Sequence, residues 1–141
     1  MGIIWGSMGS ARSALETAIS YAASREQFGR PIAGFQLTQA KLAEMTLDYT
    51  KGMLLAHHLG RHKDAGTVTA AQISLGKLNN VRASLEICRT ARTILAANGI
   101  SLDYPVIRHM ANLESVLTYE GTVEMHQLVV GQALTGQQAF R

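Results

Sequence analysis

Apolar residues recur at intervals of three and four positions along most of the chain, which is the period of an α-helix with one buried face. Sustained alternation of apolar and polar residues, the pattern of a half-buried strand, does not occur in the sequence. The pattern predicts five helices, over residues 5–24, 35–64, 69–97, 106–116 and 122–134.

Glycine and proline mark the ends of these predicted helices. The segment REQFGRPIAG interrupts the first pattern, and Ala65-Gly66 ends the second. Asn98-Gly99 is a typical helix stop after the third, and Pro105 precedes the fourth. The connections are therefore short, as expected when consecutive helices pack against each other.

Each long predicted helix has an apolar face that we expect to point into a common core. The inward positions are Met8, Ala11, Leu15, Ala18, Ile19 and Ala22 in the first helix, Leu42, Met45, Tyr49, Met53 and Ala56 in the second, Leu78, Val81, Leu85, Cys88 and Leu95 in the third, and Met125, Leu128 and Val129 in the last. Helices patterned in this way pack side by side at shallow angles. We predict an all-α fold, an antiparallel up-down four-helix bundle with an extra short helix, forming one domain over residues 1–141.

Two of the predicted helices approach a length of about 45 Å, at about 1.5 Å per residue. Helices of that length in a domain of 141 residues leave apolar flanks that one chain cannot cover. We therefore expect a homo-oligomer, either a dimer or a tetramer.

Composition and charge narrow the classes of function. The formal net charge is +3, and basic and acidic residues are interspersed, so a nucleic-acid-binding surface is not indicated. A single cysteine, Cys88, allows no internal disulfide and suggests a reducing compartment. No apolar run approaches the ~20 residues that cross a bilayer.

Glu120, in the stretch LTYEGTVEMHQ, allows two interpretations. In the first, it is a charge near the amino end of the last helix, where Thr122 is the N-cap and Glu124 is a first-turn acid. In the second, it is a catalytic base in an apolar pocket, where partial desolvation raises its pKa and Gly121 lets a substrate approach the backbone. The residues alone favour the first.

Other reactive side chains have simpler explanations. His58 and His62 share a helix face at a spacing of four, but no acidic partner accompanies them, so we interpret the pair as a solvated face and not a metal site. Cys88 lies on the apolar seam of the third helix and is most simply a small core residue.

The loop SREQFGRPIAGFQ also has two interpretations. Arg25 and Arg30 flank a Phe-Gly turn, and arginine is the side chain best suited to a pyrophosphate. A polar connection between helices explains the same residues. The ANG sequence at 97–99 could present backbone amides to an anion, although an ordinary helix C-cap accounts for it equally well.

Three segments taken together resemble the C-terminal helical domain of the acyl-CoA dehydrogenase family. They are YAASREQFGRPIAGFQ, ARTILAANGI and TYEGTVEMHQ, in the family's order and spacing, and the likeness extends over almost the whole chain. The segments NGISLDYPVIRHMANLESVLTYEGT and ALTGQQAF are most similar to the glutaryl-CoA dehydrogenase branch.

The resemblance implies a reaction and the residues that carry it. Glu120 matches the family's catalytic base, which removes the proton beside the thioester carbonyl while hydride passes to FAD, and Gly121 matches a substrate contact. In the glutaryl branch the product then loses carbon dioxide to give crotonyl-CoA. The positions that match FAD contacts are Arg25, Phe28, Gln36, Thr93, Ile94, Leu95, Ala96, Ala97, Thr122 and Phe140. Of these, Arg25, Gln36 and the segment 93–97 match positions that reach the FAD of a neighbouring subunit.

The family also implies partners and further domains. An electron-transfer flavoprotein would accept the electrons, and the location would be the bacterial cytoplasm or the mitochondrial matrix. The N-terminal helical domain and the middle β domain of the family are expected to be absent from this chain, so we expect it to bind FAD weakly and to be inactive alone. A non-catalytic oligomerisation module is the alternative.

The sequence departs from the family's pattern at several cofactor positions. Ala96 and Ala97 replace two glycines, Thr93 replaces a common glutamine, and Gln132 replaces a common arginine. Close approach of the backbone to FAD is therefore less easily achieved here than in most relatives.

Overall fold

The computed structural model describes residues 1–139 and contains five α-helices. They are α1 (Gly2–Ser24), α2 (Gln36–Asp64), α3 (Ala70–Leu95), α4 (Val106–Thr118) and α5 (Val123–Thr135). The all-α prediction is confirmed, and each predicted helix is present with its ends within three residues of the predicted ones. Helix α3 is central, because it packs against each of the other four helices.

A short hairpin between α1 and α2 is a feature that the apolar pattern did not predict. Strand β1 (Glu26–Gln27) pairs antiparallel with β2 (Arg30–Pro31). The two residues between them, Phe28 and Gly29, have positive φ angles of 54° and 77°, as in the two-residue turns that suit hairpins. Each strand has only two residues, which is too short to show alternation.

The core between α1 and α3 is built from small residues. Ala11, Ala14, Ala18 and Ala22 of α1 are fully buried, so the two helix backbones can approach closely. The predicted inward face of α1 is confirmed except at Ile19, which is 45% exposed. Ile19 adjoins Ala18 and Ala22 in the apolar pattern, but it lies on the edge of the face that meets α3.

A buried amide joins three helices at one crossing. The Asn80 side chain of α3 donates from Nδ2 to the carbonyl of Ile4, at 3.2 Å, and to the carbonyl of Gly52, at 3.0 Å. A Cβ at Gly52 would lie 2.6 Å from the Met8 Sδ atom, so glycine is needed where α1 and α2 cross. This crossing fixes the register of α1, α2 and α3.

Helix α5 is the least enclosed element. Within the described chain it contains no buried residue, and its main neighbour is α3. The prediction that Met125 and Leu128 point inward is therefore wrong, since they are 44% and 39% exposed, whereas Val129 is half-buried. The apolar pattern identified the helix, but a helix with one main neighbour cannot bury its whole apolar face.

Candidate active site

The turn between α4 and α5 has an unusual backbone, and we call residues 119–121 the Glu120 turn. Glu120 has a φ of 53° and Gly121 a φ of 94°. A non-glycine residue in this left-handed region is uncommon and needs support from its surroundings. Thr122 then begins α5 as its N-cap, and its hydroxyl accepts a hydrogen bond from the Met125 amide at 3.4 Å.

The support comes from Lys77, a lysine of α3 that is only 5% exposed. Its ammonium donates to the carbonyls of Tyr119, Glu120 and Gly121, at 3.4 Å for Glu120 and 2.6 Å for Gly121. Burial lowers the pKa of Lys77, and the negative charge of Glu120 opposes that shift. An ammonium has three donors, so three convergent carbonyls satisfy it fully.

His126 of α5 contacts the same turn from a second side. Its Nε2 atom lies 3.2 Å from the Glu120 carbonyl and its Nδ1 atom lies 3.0 Å from the Ser74 hydroxyl of α3. Because a carbonyl oxygen only accepts, Nε2 carries the hydrogen, and a neutral ring then accepts from Ser74 at Nδ1. Burial and the charge of Lys77 lower the pKa of His126, which favours this neutral form.

Gly121 is required by both its angle and its surroundings. A Cβ there would lie 2.9 Å from His126 Nε2, in addition to the strain of a φ of 94°. The His126 ring occupies the space where a side chain at Gly121 would lie, and the glycine therefore allows the ring to reach the Glu120 carbonyl.

The Glu120 side chain is exposed on this turn. A carboxylate that is accessible from outside is a side chain of the type that acts as a general base. The apolar pocket expected around a catalytic Glu120 is not formed by residues 1–139 alone. The turn thus presents the carboxylate and holds its backbone, and any further enclosure has to come from outside these residues.

A second group of predicted residues lies at the opposite end of α3, around a cavity of about 730 Å³. Phe28, Gln36, Thr93 and Ile94 all line this larger cavity. The Phe28 side chain is 94% exposed, with its ring edge-on to Phe35 at a centroid distance of 6.2 Å. The cavity therefore has aromatic walls that are accessible from outside.

Cations accompany these aromatic rings. The Arg30 guanidinium lies over the Phe35 ring, 4.2 Å from its centroid, and both residues line the larger cavity together with Lys41. A guanidinium on an aromatic face gains a cation–π attraction and keeps most of its donors free.

A smaller cavity of about 500 Å³ adjoins the first, since Gln27, Ile32 and Ile94 line both. Arg25 also lines the smaller cavity, as does the segment of Leu95, Ala96 and Ala97. Nine of the predicted cofactor contacts lie in the described chain. Eight of them line these two cavities, and the ninth, Thr122, lies beside Glu120. Phe140, the tenth, lies outside the described residues.

Ala96 ends α3 with a φ of 52° and a ψ of −125°, a conformation that strongly favours glycine. It is one of the two alanines that replace the family's glycines. Helix α3 therefore ends two residues earlier than predicted, and a 3₁₀ turn (Ala96–Ile100) follows it. An alanine in this conformation is strained.

The two groups of residues cannot meet within one chain. Lys77 and Thr93 belong to the same helix, and at about 1.5 Å per residue they lie about 24 Å apart along its axis. Glu120, Gly121 and Thr122 are therefore near the amino end of α3, and the other predicted cofactor positions are near its carboxyl end.

The remaining reactive groups lie elsewhere. Burial raises the pKa of the Cys88 thiol to about 12, so this cysteine is unreactive at neutral pH. The rings of His58 and His62 contact each other edge-on with centroids 4.5 Å apart. Among residues 1–139, no three His, Cys, Asp or Glu side chains gather as a metal site would require. None of the helices in the described chain has the length and apolarity needed to span a membrane.

Sequence reasoning did not identify Lys77 or His126. Lys77 occupies an inward stripe of α3 that also contains Ser74, Val81 and Ser84, all buried. A lysine on such a stripe is a signal in itself, since a buried ammonium needs acceptors. Its acceptors lie more than forty residues further along the chain, so their identity could not be predicted from spacing.

The chain belongs to the acyl-CoA dehydrogenase family, because the family model described as "Acyl-CoA dehydrogenase, C-terminal domain" matches residues 1–135. Among solved structures, it is similar to a glutaryl-CoA dehydrogenase from Mycobacterium smegmatis, with 68% identity and a TM-score of 0.97. That match covers 99% of this chain and 36% of the other.

Two further relatives are similar to the chain at lower identity. A glutaryl-CoA dehydrogenase from Mycobacterium smegmatis in complex with FADH2 is 60% identical, with a TM-score of 0.96, over 99% of this chain and 36% of that one. Benzylmalonyl-CoA dehydrogenase of Aromatoleum aromaticum is 34% identical over 94% of this chain and 36% of its own length. This chain therefore spans about a third of the length of the relatives it matches.

Proposed function

We propose that this chain is the C-terminal domain of an FAD-dependent glutaryl-CoA dehydrogenase, which oxidises glutaryl-CoA between its α and β carbons and decarboxylates it to crotonyl-CoA. The observation that carries the proposal is the 68% identity to a glutaryl-CoA dehydrogenase over 99% of the chain. Relatives that are about a third identical include a dehydrogenase with a different acyl group, so family membership alone would not select this substrate.

Glu120 is the proposed catalytic base. Its exposed carboxylate would remove the proton from the carbon beside the thioester carbonyl, which is acidic because the resulting charge spreads onto the carbonyl oxygen. After loss of carbon dioxide from the far end of the acyl chain, the protonated Glu120 would return a proton to the product. Gly121 would contact the substrate through its backbone, because the His126 ring occupies the space where a side chain at Gly121 would lie.

The cavities at the carboxyl end of α3 fit the proposed cofactor, FAD. A dinucleotide needs cations for its pyrophosphate and flat surfaces for its rings. Around the two adjoining cavities, Arg25 and Arg30 supply the cations, and Phe28 and Phe35 supply the flat surfaces. When bound, FAD would accept the hydride from the β carbon of the substrate. Gln36 and the segment 93–97 would complete the wall on this side, and Thr122 would contact the cofactor that serves Glu120.

The separation of the two groups supports a homo-oligomer, a dimer or a tetramer. If the amino end of α3 faces one FAD and the carboxyl end faces another, a second copy of the chain has to supply the missing half of each site. Exposed large apolar side chains such as Leu37, at 80%, and Leu54, at 67%, offer surface for such association. An electron-transfer flavoprotein is the proposed electron acceptor.

The chain alone is expected to be inactive, since residues 1–139 do not enclose Glu120 in an apolar pocket. The second candidate function is a helical oligomerisation module without catalysis. The same exposed leucines favour it, and it differs from the first proposal in assigning no chemistry to Glu120.

The test is to replace the matching segment of the Mycobacterium smegmatis glutaryl-CoA dehydrogenase with this chain and to follow flavin bleaching by glutaryl-CoA. We expect an active grafted enzyme in which Glu120→Gln lowers the reduction rate by at least ~100-fold, because the amide cannot accept the proton. Glu124→Gln, on the first turn of α5, is the matched control and should keep the rate. A grafted enzyme that reacts equally well after Glu120→Gln would exclude the proposed base.

A further inference from the structure

One lysine contacts three successive carbonyls of the turn that carries Glu120. The ammonium of Lys77 donates hydrogen bonds to the carbonyls of Tyr119, Glu120 and Gly121. The Lys77 side chain is almost fully buried on α3. Carbonyl dipoles that converge on one point repel one another unless a positive charge lies between them. The ammonium is therefore part of what makes this turn possible.

The backbone of the turn also needs such support. Glu120 and Gly121 both have positive φ angles, at 53° and 94°, and Glu120 pays the steric cost of a side chain in that region. Helix α5, which follows the turn, has no buried residue in the described chain, so its own packing constrains the turn weakly. The polar contact from Lys77 of α3 therefore restrains the Glu120 backbone where the packing of α5 does not.

His126 limits the turn from the other side. The His126 ring bridges the Glu120 carbonyl and the Ser74 hydroxyl, with distances of 3.2 Å and 3.0 Å. Ser74 and Lys77 are separated by one helical turn of α3. The Lys77 ammonium contacts the Glu120 carbonyl directly and Ser74 contacts it through the His126 ring, so both link the Glu120 backbone to the same helix. The Glu120 residue remains exposed in the presence of these contacts.

We propose that Lys77 is a positioning residue for Glu120: by binding the three carbonyls, its ammonium fixes the backbone from which the carboxylate reaches the substrate. The proposal rests on the proposed role of Glu120 as the base. Lys77 exchanges no proton with the substrate, and its effect on the reaction is transmitted through the backbone of the Glu120 turn.

The first test uses the 141-residue chain and requires neither cofactor nor activity. Hydrogen exchange is followed in the segment 117–127 after Lys77→Met, a change that keeps the volume but removes all three donors. We expect exchange in this segment to accelerate by at least ~10-fold, while segments of α1 and α2 change much less. Unchanged exchange in segment 117–127 would overturn the proposal.

The matched control is Asn80→Leu, one turn further along α3. Asn80 joins α1, α2 and α3 and does not contact the Glu120 turn, so its loss destabilises the bundle without touching the turn. We expect exchange to accelerate in α1 and α2 in this variant. If Asn80→Leu accelerated exchange in the segment 117–127 as selectively as Lys77→Met does, the effect of Lys77→Met would be general destabilisation. The proposal would then fail.

The second test uses the grafted enzyme and separates positioning from binding. Misplacement of a base lowers kcat, so Lys77→Met should reduce kcat by at least ~10-fold. Because Gly121 is the one substrate contact proposed on this turn, KM should change by less than ~3-fold. An unchanged kcat would contradict the proposal. Suppose that Glu120→Gln left the reduction rate of the flavin intact while Lys77→Met still accelerated exchange in the segment 117–127. The proposed role of Glu120 as the base would then fail, and Lys77 would remain a structural support of the turn only.

A variant that does not fold would be recognised by loss of helical circular dichroism. In that event Lys77→Gln takes its place, because its amide retains two donors on a shorter side chain. The same criteria apply: the segment 117–127 has to exchange faster than in the wild type, and normal exchange there would overturn the proposal.

Discussion

The two ends of α3 differ in how they are completed. At the amino end, a buried cation, a histidine and a serine hold the Glu120 turn through hydrogen bonds within the chain. At the carboxyl end, aromatic and cationic side chains surround two open cavities, and Phe28 is almost fully exposed. At the amino end the backbone of the turn is held within the chain, whereas at the carboxyl end the aromatic and cationic side chains are accessible from outside.

The difference between the two ends of α3 agrees with the roles proposed for them. A base has to be held at a defined point, which calls for rigid contacts from a central helix. A cofactor surface has to stay accessible until the cofactor and a neighbouring subunit cover it, which calls for exposed aromatic rings and arginines. In the proposed function the same helix would contribute to both, but to two different sites, because its ends are about 24 Å apart along the axis.

The largest expected effect on stability comes from Gly99→Ala at the carboxyl end. A Cβ at Gly99 would lie 2.4 Å from the Arg92 carbonyl oxygen and 2.9 Å from the Arg92 Cα, and backbone atoms cannot move aside by a rotamer change. We expect the free energy of unfolding, measured by urea denaturation, to fall by about 2–3 kcal/mol.

The matched control is Gly9→Ala in α1. An added Cβ there would have no neighbour within 4 Å in the described part of the chain, and alanine favours a helix interior over glycine by about 0.5–1 kcal/mol. Gly9→Ala should therefore stabilise slightly. Equal destabilisation by both substitutions would show that the contact with Arg92 is not the cause.

A smaller effect, of opposite sign, is expected from Ala96→Gly. Alanine at a φ of 52° and a ψ of −125° is strained, and glycine adopts this conformation without that cost. We expect the free energy of unfolding to rise by about 1 kcal/mol, measured by the same denaturation. Ala97→Gly, at a neighbouring position without a positive φ, should be neutral or destabilising. A loss of stability in Ala96→Gly would mean that the backbone at the carboxyl end is not strained.

Most of the fold could be predicted from the sequence, because a buried helix face repeats at a fixed interval. The five helices followed from that interval, and Pro105 correctly marked the start of α4, whereas α3 ends at Leu95, before the predicted stop at Asn98-Gly99. The errors occurred where burial depends on the number of neighbours: Ile19, Met125 and Leu128 belong to apolar patterns but lie at edges. A pattern reports which face is apolar and cannot report how much of it is covered.

The candidate site was less predictable. Glu120 and the segment 93–97 were found through family motifs, and the structure groups most of the predicted cofactor positions around two cavities. Lys77 and His126 were missed, since both contact backbone carbonyls of the Glu120 turn, and a sequence does not display where carbonyls converge. Their roles follow from the backbone conformation of the Glu120 turn, which only the folded chain reveals.

The smallest expected effect is a pH dependence at the amino end. Burial, together with the charge of Lys77, lowers the pKa of His126, and hydrogen bonds to Glu120 and Gly121 partly oppose this. A histidine whose folded pKa lies below its unfolded value stabilises the fold above the unfolded pKa, near 6.5, and this stability is lost as pH falls through the folded pKa.

We therefore expect exchange in the segment 117–127, corrected for the intrinsic rate, to accelerate as pH falls from about 7 to about 5. His126→Gln should remove most of this pH dependence, whereas His57→Gln, at an exposed position on α2, should preserve it. Burial and the charge of Arg108 also lower the pKa of His109, which is why the comparison uses the local segment and not global stability. Identical profiles for the two variants would contradict the assignment to His126.

The central claim, that the two ends of α3 serve different cofactor sites, is tested most directly by complementation. Grafted subunits that carry Glu120→Gln are co-expressed with subunits that carry both Arg25→Ala and Gln36→Ala, and turnover of glutaryl-CoA is compared with each parent alone. We predict recovered activity, because a site built from the intact amino end of one subunit and the intact carboxyl end of another escapes all three substitutions. Turnover no higher than that of the two parents would contradict the account, since it would place both ends of one chain in the same site.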